Sequence, residues 1–98
     1  MARSPDVVAG VAWFRAEQWP LLRSLANDAN ELEQTHEEWV RIAEKIIEDL
    51  AREGVSVRKV DVDVNELHAW CAAHNRPLDA SARAEYAAAR LRDADEKT

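Results

Sequence analysis

The sequence predicts a small α+β domain, ordered β-α-α-β-α-α and mostly helical with two short strands. Two valine-rich runs of strand length, 7–14 and 55–62, are set among segments whose apolar residues recur at helical spacing. Capping signatures precede three of those helical segments. At 98 residues the chain has the size of one ordinary domain, 1–98, with ends 1–6 and 93–98 expected to be flexible.

Val7 to Phe14 is an apolar run with three valines and two aromatics, which favours a buried strand. Gly10 inside it marks a bulge or a close backbone approach. From Ala16 the period becomes helical through Trp19, Leu22 and Leu25/Ala26, with Pro20 placed in a first turn. Asn27-Asp28-Ala29-Asn30 ends or loosens that helix, and 31–34 form an extra turn or a separate short helix. Thr35-His36-Glu37-Glu38 has capping-box spacing. Behind it Trp39, Ile42/Ala43, Ile46/Ile47 and Leu50 make one apolar stripe. Gly54 supplies the left-handed stop.

In the second strand Val55 and Val57 share one parity and Val60, Val62 and Val64 the other, so a bulge or bend is expected at Arg58-Lys59. Asp63 caps a third helix, with Glu66 placed to answer it and Val64, Leu67, Trp70/Cys71 and His74 at helical spacing. Asn75 to Leu78 is a turn. Asp79 caps a fourth helix running to about Arg92, whose alanines permit close packing.

The net charge of −6 is localised. Residues 28–53 hold nine acids and three bases, and the rest of the chain is neutral. Such a field disfavours direct binding to nucleic acid or an anionic membrane. The acidic face of Glu37, Glu38, Glu44 and Glu48 reads either as a docking face for a basic partner or as a solvated helix face. Glu37–Arg41 and Glu48–Arg52 are favourably spaced ion pairs, each worth about 0.3–0.5 kcal/mol. No run is long and apolar enough for a membrane span. The start of the chain lacks signal-peptide character, and the lone Cys71 suits a reducing compartment, so a cytoplasmic protein is expected.

Catalytic constellations are sparse. His68, Cys71 and His74 have zinc-compatible chemistry, but successive three-residue steps diverge around a helix, and no second cluster accompanies them. Asp61, Asp63 and Glu66 could hold magnesium, although Asp63 already serves as a helix cap. Ser24, Ser56 and Ser81 lack any nucleophile motif. The expectation is therefore no catalytic, cofactor-binding or metal-ligating residue, and no cofactor.

Four tryptophans in so short a chain are the strongest hint of a site. Trp39 belongs to the apolar stripe. Trp13, Trp19 and Trp70 are candidate interface anchors, against the plainer reading that a small core uses large side chains. Arg83, Tyr86 and Arg90 share a face of the last helix and form a second candidate contact patch, or equally a face that makes cation–anion contacts with the acidic helix of the same or a second chain.

Trp13-Phe14, Thr35-His36-Glu37-Glu38-Trp39, Val60-Asp61-Val62-Asp63, Ala69-Trp70-Cys71 and Ala82-Arg83-Ala84-Glu85-Tyr86 together resemble a group of short uncharacterised bacterial proteins. The resemblance spans most of residues 11–91, with His36 where that group commonly has Tyr. It implies a single natural domain of bacterial origin and carries no activity.

Two strands alone make a marginal sheet with exposed edges, so a homodimer through the sheet or the Trp-rich helices is expected. The leading functional expectation is a non-catalytic protein-interaction module acting as a homodimer. The alternative is an acidic inhibitor or regulator occupying a basic nucleic-acid-binding surface of a partner protein. A metal-assisted enzyme is the lesser alternative.

Overall fold

The computed structural model of the chain describes residues 7–96. Strand β1 (Val7–Phe14) leads through a 3-10 turn (Ala16–Gln18) into α1 (Trp19–Leu25). A second 3-10 turn (Ala29–Glu31) precedes α2 (His36–Arg52), and β2 (Val55–Val62), α3 (Val64–Ala73) and α4 (Ala80–Glu96) follow. The element order is the expected one, and both strands occupy the predicted ranges.

The strands pair in parallel, in unbroken register from Val7↔Val55 to Phe14↔Val62. A parallel pair needs a long crossover, and here α1 and α2 supply it. The bulge expected at Arg58-Lys59 is not formed. Instead, each face of the sheet has its own helix. Lys59 meets Glu44 of α2 at 3.0 Å, and Val55 and Val57 share its face. Ala12 and Val60 lie on the opposite face with Gly10, where a Cβ on Gly10 would stand 3.2 Å from Leu91 and 3.4 Å from the Ala87 carbonyl of α4. Parity changes along β2 because α2 covers one face early and the core covers the other late, so no residue needs to slip. Gly10 is the close-approach glycine of the two readings.

The helix starts obey their sequence signals. The Thr35 hydroxyl accepts from the Glu38 N–H while Glu38 accepts from the Thr35 N–H, completing the capping box of α2. Asp63 accepts from the Glu66 N–H and Asp79 from the Ala82 N–H. Gly54 follows α2 at φ +89°, and Asn75 takes φ 56° after α3. Helix α4 continues past the stop expected near Arg92 to Glu96, so 93–96 of the expected flexible end are helical. Residues 1–6 and 97–98 lie outside the described residues.

The core sits at the carboxyl end of the strands. Phe14, Trp19, Leu22, Val62, Val64, Leu67, Cys71, Leu78, Ala82 and Tyr86 form one buried cluster contributed by both strands, α1, α3 and α4. Helix α2 stands largely outside it. Of its apolar stripe only Ala43 is fully buried, Trp39, Ile47 and Leu50 are half-buried, and Ile42 and Ile46 are 47% and 51% exposed.

Candidate functional site: an uncharged strand edge

Each strand of a two-stranded sheet has one edge without a neighbour, and the two edges here differ in chemistry. Strand β2 carries Arg58, Lys59 and Asp61, the kind of charges that blunt an edge. Strand β1, VVAGVAWF, carries no charge and no proline. Beside it a cleft of about 280 Å³ is lined by Val11, Phe14 and Trp19 together with the Trp39, Ile42 and Ile46 flank of α2, with Glu33 and the Asp28-paired Arg83 at its margin. A second hollow of about 250 Å³ adjoins it, between β1 and the Arg83-Ala84 segment of α4. The two share Val11, Phe14, Trp39 and Arg83, so an apolar groove follows β1 between the two helices. Val8, Ile42 and Ile46 are the large hydrophobic side chains left exposed among the described residues.

The groove ends at an aromatic cluster. Trp39 stacks on Trp19 at 5.1 Å and meets Trp13 at 4.7 Å and Phe14 at 5.6 Å. The buried indole N–H of Trp19 donates to the Glu33 carbonyl at 3.1 Å. His36 packs against both Trp19 and Trp39, and its Nε2 lies 2.7 Å from the Phe14 carbonyl oxygen. A carbonyl can only accept, so Nε2 carries the proton.

The sequence-predicted site residues separate into different settings. Trp13 is half-buried at the groove's end, with the Lys59 ammonium 4.2 Å from its ring centroid. Trp19 and Tyr86 are core members, at 2% and 6% exposure, and present no ring to a partner. Trp70 is half-buried on the far side, against His74 at 4.5 Å, Tyr86 at 5.4 Å and the Arg76 guanidinium at 5.6 Å. Arg83 is committed within the chain: both terminal nitrogens donate to Asp28 at 2.9 Å, and this pair holds the Asp28 carboxyl below its ordinary range. Arg90 is exposed, its guanidinium 6.0 Å from the Tyr86 ring. Arg83 is therefore withdrawn from the predicted patch, while Tyr86 and Arg90 line one hollow with Trp70.

The acidic segment is partly consumed by the fold. Glu38 is in the capping box, Glu44 pairs with Lys59, and Asp49 pairs with Lys45 at 3.3 Å and Arg52 at 2.7 Å. Arg52 thus meets Asp49 in place of the expected Glu48, and the expected Glu37–Arg41 pair is not formed; among the described residues Glu37 and Glu48 have no ion-pair partner. Glu44 turns toward β2. Glu37 and Glu48 share its flank by helical spacing, away from Ile42 and Ile46.

Asp61 and Asp63 are drawn together by a cation. Arg15 donates to Asp61 at 2.7 and 3.3 Å and to Asp63 at 3.3 Å. Gln18 bridges Asp63 and the Val64 N–H. The Arg15 hydrogen bond depresses the Asp61 pKa, and the Glu66 N–H does most to depress that of Asp63. The knot ties the carboxyl ends of the two strands together. On α3, Cys71 is buried while His68 and His74 are exposed, and burial pushes the Cys71 thiol pKa up. Among the described residues no group of three or more His, Cys, Asp or Glu is placed to hold a metal ion.

Ile42 and Ile46 were legible in the sequence only as part of a stripe. The signal was its width: Ile42/Ala43 and Ile46/Ile47 cover more of the helix than a two-stranded sheet can bury. No protein-family model, curated protein or solved structure matches this chain.

Proposed function

We propose that this chain is a non-catalytic protein-interaction module that acts as a homodimer through the open edge of β1. The observation that carries the reading is the coincidence of an uncharged strand edge, without a neighbour among the described residues, with exposed Ile42 and Ile46 beside it. Proteins guard exposed edges with charge, as β2 does, and an edge left unguarded is one meant to be covered. A second copy is the partner always at hand, and its edge has the same uncharged character. A bacterial, cytoplasmic setting fits a lone cysteine held as a buried thiol. Among the described residues no helix is long and apolar enough to cross a membrane.

The acidic-regulator alternative rests on Glu31, Glu33, Glu37, Glu48 and Glu53, because Asp28, Glu38, Glu44 and Asp49 are engaged within the chain. The metal-assisted alternative would have to displace Arg15 from Asp61 and Asp63.

Native mass measurement at micromolar concentration tests the proposal, with a dimer expected. Ile42→Glu and Ile46→Glu place charge at positions half-exposed in the monomer, so each variant keeps the wild-type circular dichroism while shifting the population to monomer. A monomeric wild type, or a dimer indifferent to both variants, overturns the reading.

A further inference from the structure

A hollow of about 500 Å³ lies between α3 and α4 and shares no lining residue with the groove beside β1. We infer that this hollow binds a free α-amino acid with an apolar side chain, its carboxylate held by Arg90 and Tyr86 and its ammonium by Glu66 and Asp93. The site is separate from the dimer contact proposed above and stands or falls independently of it.

The two helices leave room here because the residues between them are small. Ala69 of α3 and Ala89 of α4 line the hollow, and Trp70 and Tyr86, meeting edge to face at 5.4 Å, close one end. Glu66, one turn before Trp70, and Arg90 and Asp93, one and two turns after Tyr86, line the other end. Small-molecule sites are mostly apolar hollows of about 300–1,000 Å³ with a few placed polar groups. Ala69, Ala89 and Trp70 supply the apolar part, which suits an apolar side chain.

The polar groups select a zwitterion. Tyr86 is 6% exposed, and its hydroxyl has no hydrogen-bond partner among the described residues. Among those residues the side-chain polar atom both fully buried and unpartnered is Arg23 Nε, so the Tyr86 hydroxyl opens onto the hollow that the residue lines. Arg90 and Glu66 are exposed, and neither has an ion-pair partner among the described residues. They line one hollow with opposite charges and do not meet. Burial does most to raise the Tyr86 pKa, while Arg90 lowers it and Glu66 raises it, so both charges act at the hydroxyl. Asp93 adds a second carboxylate on the Arg90 side.

An anion alone would face Glu66 and Asp93, and a cation alone would face Arg90. A ligand carrying both charges one carbon apart satisfies the two signs at once. Its carboxylate can accept two parallel N–H bonds from Arg90 and one bond from the Tyr86 hydroxyl. Its ammonium can donate to Glu66 and Asp93. The aromatic rings already have cations of the chain near them, Arg76 at 5.6 Å from Trp70 and Arg90 at 6.0 Å from Tyr86, so the ammonium is left to the carboxylates. The side chain then runs over Ala69 and Ala89 toward Trp70.

Isothermal titration calorimetry of the full chain with L-leucine tests the site, and saturable binding is expected. N-acetyl-leucine keeps the carboxylate and loses the ammonium, whereas leucinamide keeps the ammonium and loses the carboxylate. Each should bind at least about tenfold more weakly, the scale of one lost charge-assisted hydrogen bond. Arg90→Gln and Glu66→Gln alter exposed positions, and Tyr86→Phe keeps the ring against Trp70. All three should retain the wild-type circular dichroism and weaken leucine several-fold or more. N-acetyl-leucine binding as tightly as leucine would assign the hollow to a peptide carboxyl end and overturn the free amino acid. Leucinamide binding as tightly would assign it to a peptide amino end, with the same consequence. No binding of leucine, methionine or phenylalanine at millimolar concentration, or leucine binding indifferent to all three variants, overturns the site.

Discussion

Arg83 and Asp28 stand 55 residues apart and meet in a two-pronged ion pair, their side chains 12% and 16% exposed. Charged hydrogen bonds of this kind contribute about 1.5–3 kcal/mol, so Asp28→Asn is expected to lower neutral-pH stability by that order. The sign of the pH dependence follows from the depressed Asp28 pKa. An unfolded Asp titrates near about 3.9. The pair's contribution is complete above that value and is lost as pH falls through the lower folded pKa. Asp61 and Asp63 are depressed in the same direction and add to the loss. Thermal melts between neutral pH and pH 2 should show steep acid destabilisation, shallower in Asp28→Asn. The sequence offered only cation–anion contacts between the Arg83, Tyr86 and Arg90 face and the acidic helix; the partner is instead Asp28, ahead of that helix. Helical spacing places residues on a face, but it cannot say which distant carboxylate that face will meet.

Elements were more legible than residues, because caps and periods are local. The Thr35-Glu38 box is written in four consecutive residues and forms as written. Thr35→Ala should cost about 1 kcal/mol in chemical denaturation. His36, the next residue, donates to the Phe14 carbonyl, so the start of α2 is fixed to the end of β1 as well as capped. Both strand ranges were legible from their valines, whereas the expected bulge in β2 was not formed. Alternating burial presumes one covered face; here α2 and α4 each take one, and a shift of parity along a straight strand is the result. The overrun of α4 to Glu96 has a similar cause. Its last turns contain ordinary helix formers, and with no glycine or proline after Asp93 nothing local stops them.

At the scale of the molecule, Glu37, Glu44 and Glu48 stand on the flank of α2 away from Ile42 and Ile46, which gives the dimer a salt signature. Its contact is uncharged, so its dissociation constant should move by less than about threefold as salt shrinks the Debye length from about 30 to about 3 Å. Sedimentation equilibrium across that range checks this; a steep salt dependence would transfer the contact to the acidic flank. By itself the sequence determined the α+β class, the element order, the strand ranges, the helix caps and the place of the charge. Those depend on periodicity and on side chains bonding three residues away. Only the tertiary structure decided which strand edge stays open, that Trp19 and Tyr86 are core, that Arg15 claims Asp61 and Asp63, and that Ile42 and Ile46 remain uncovered. Each of these depends on a partner remote in the chain, and a two-stranded sheet has too little surface to bury everything the apolar pattern offers.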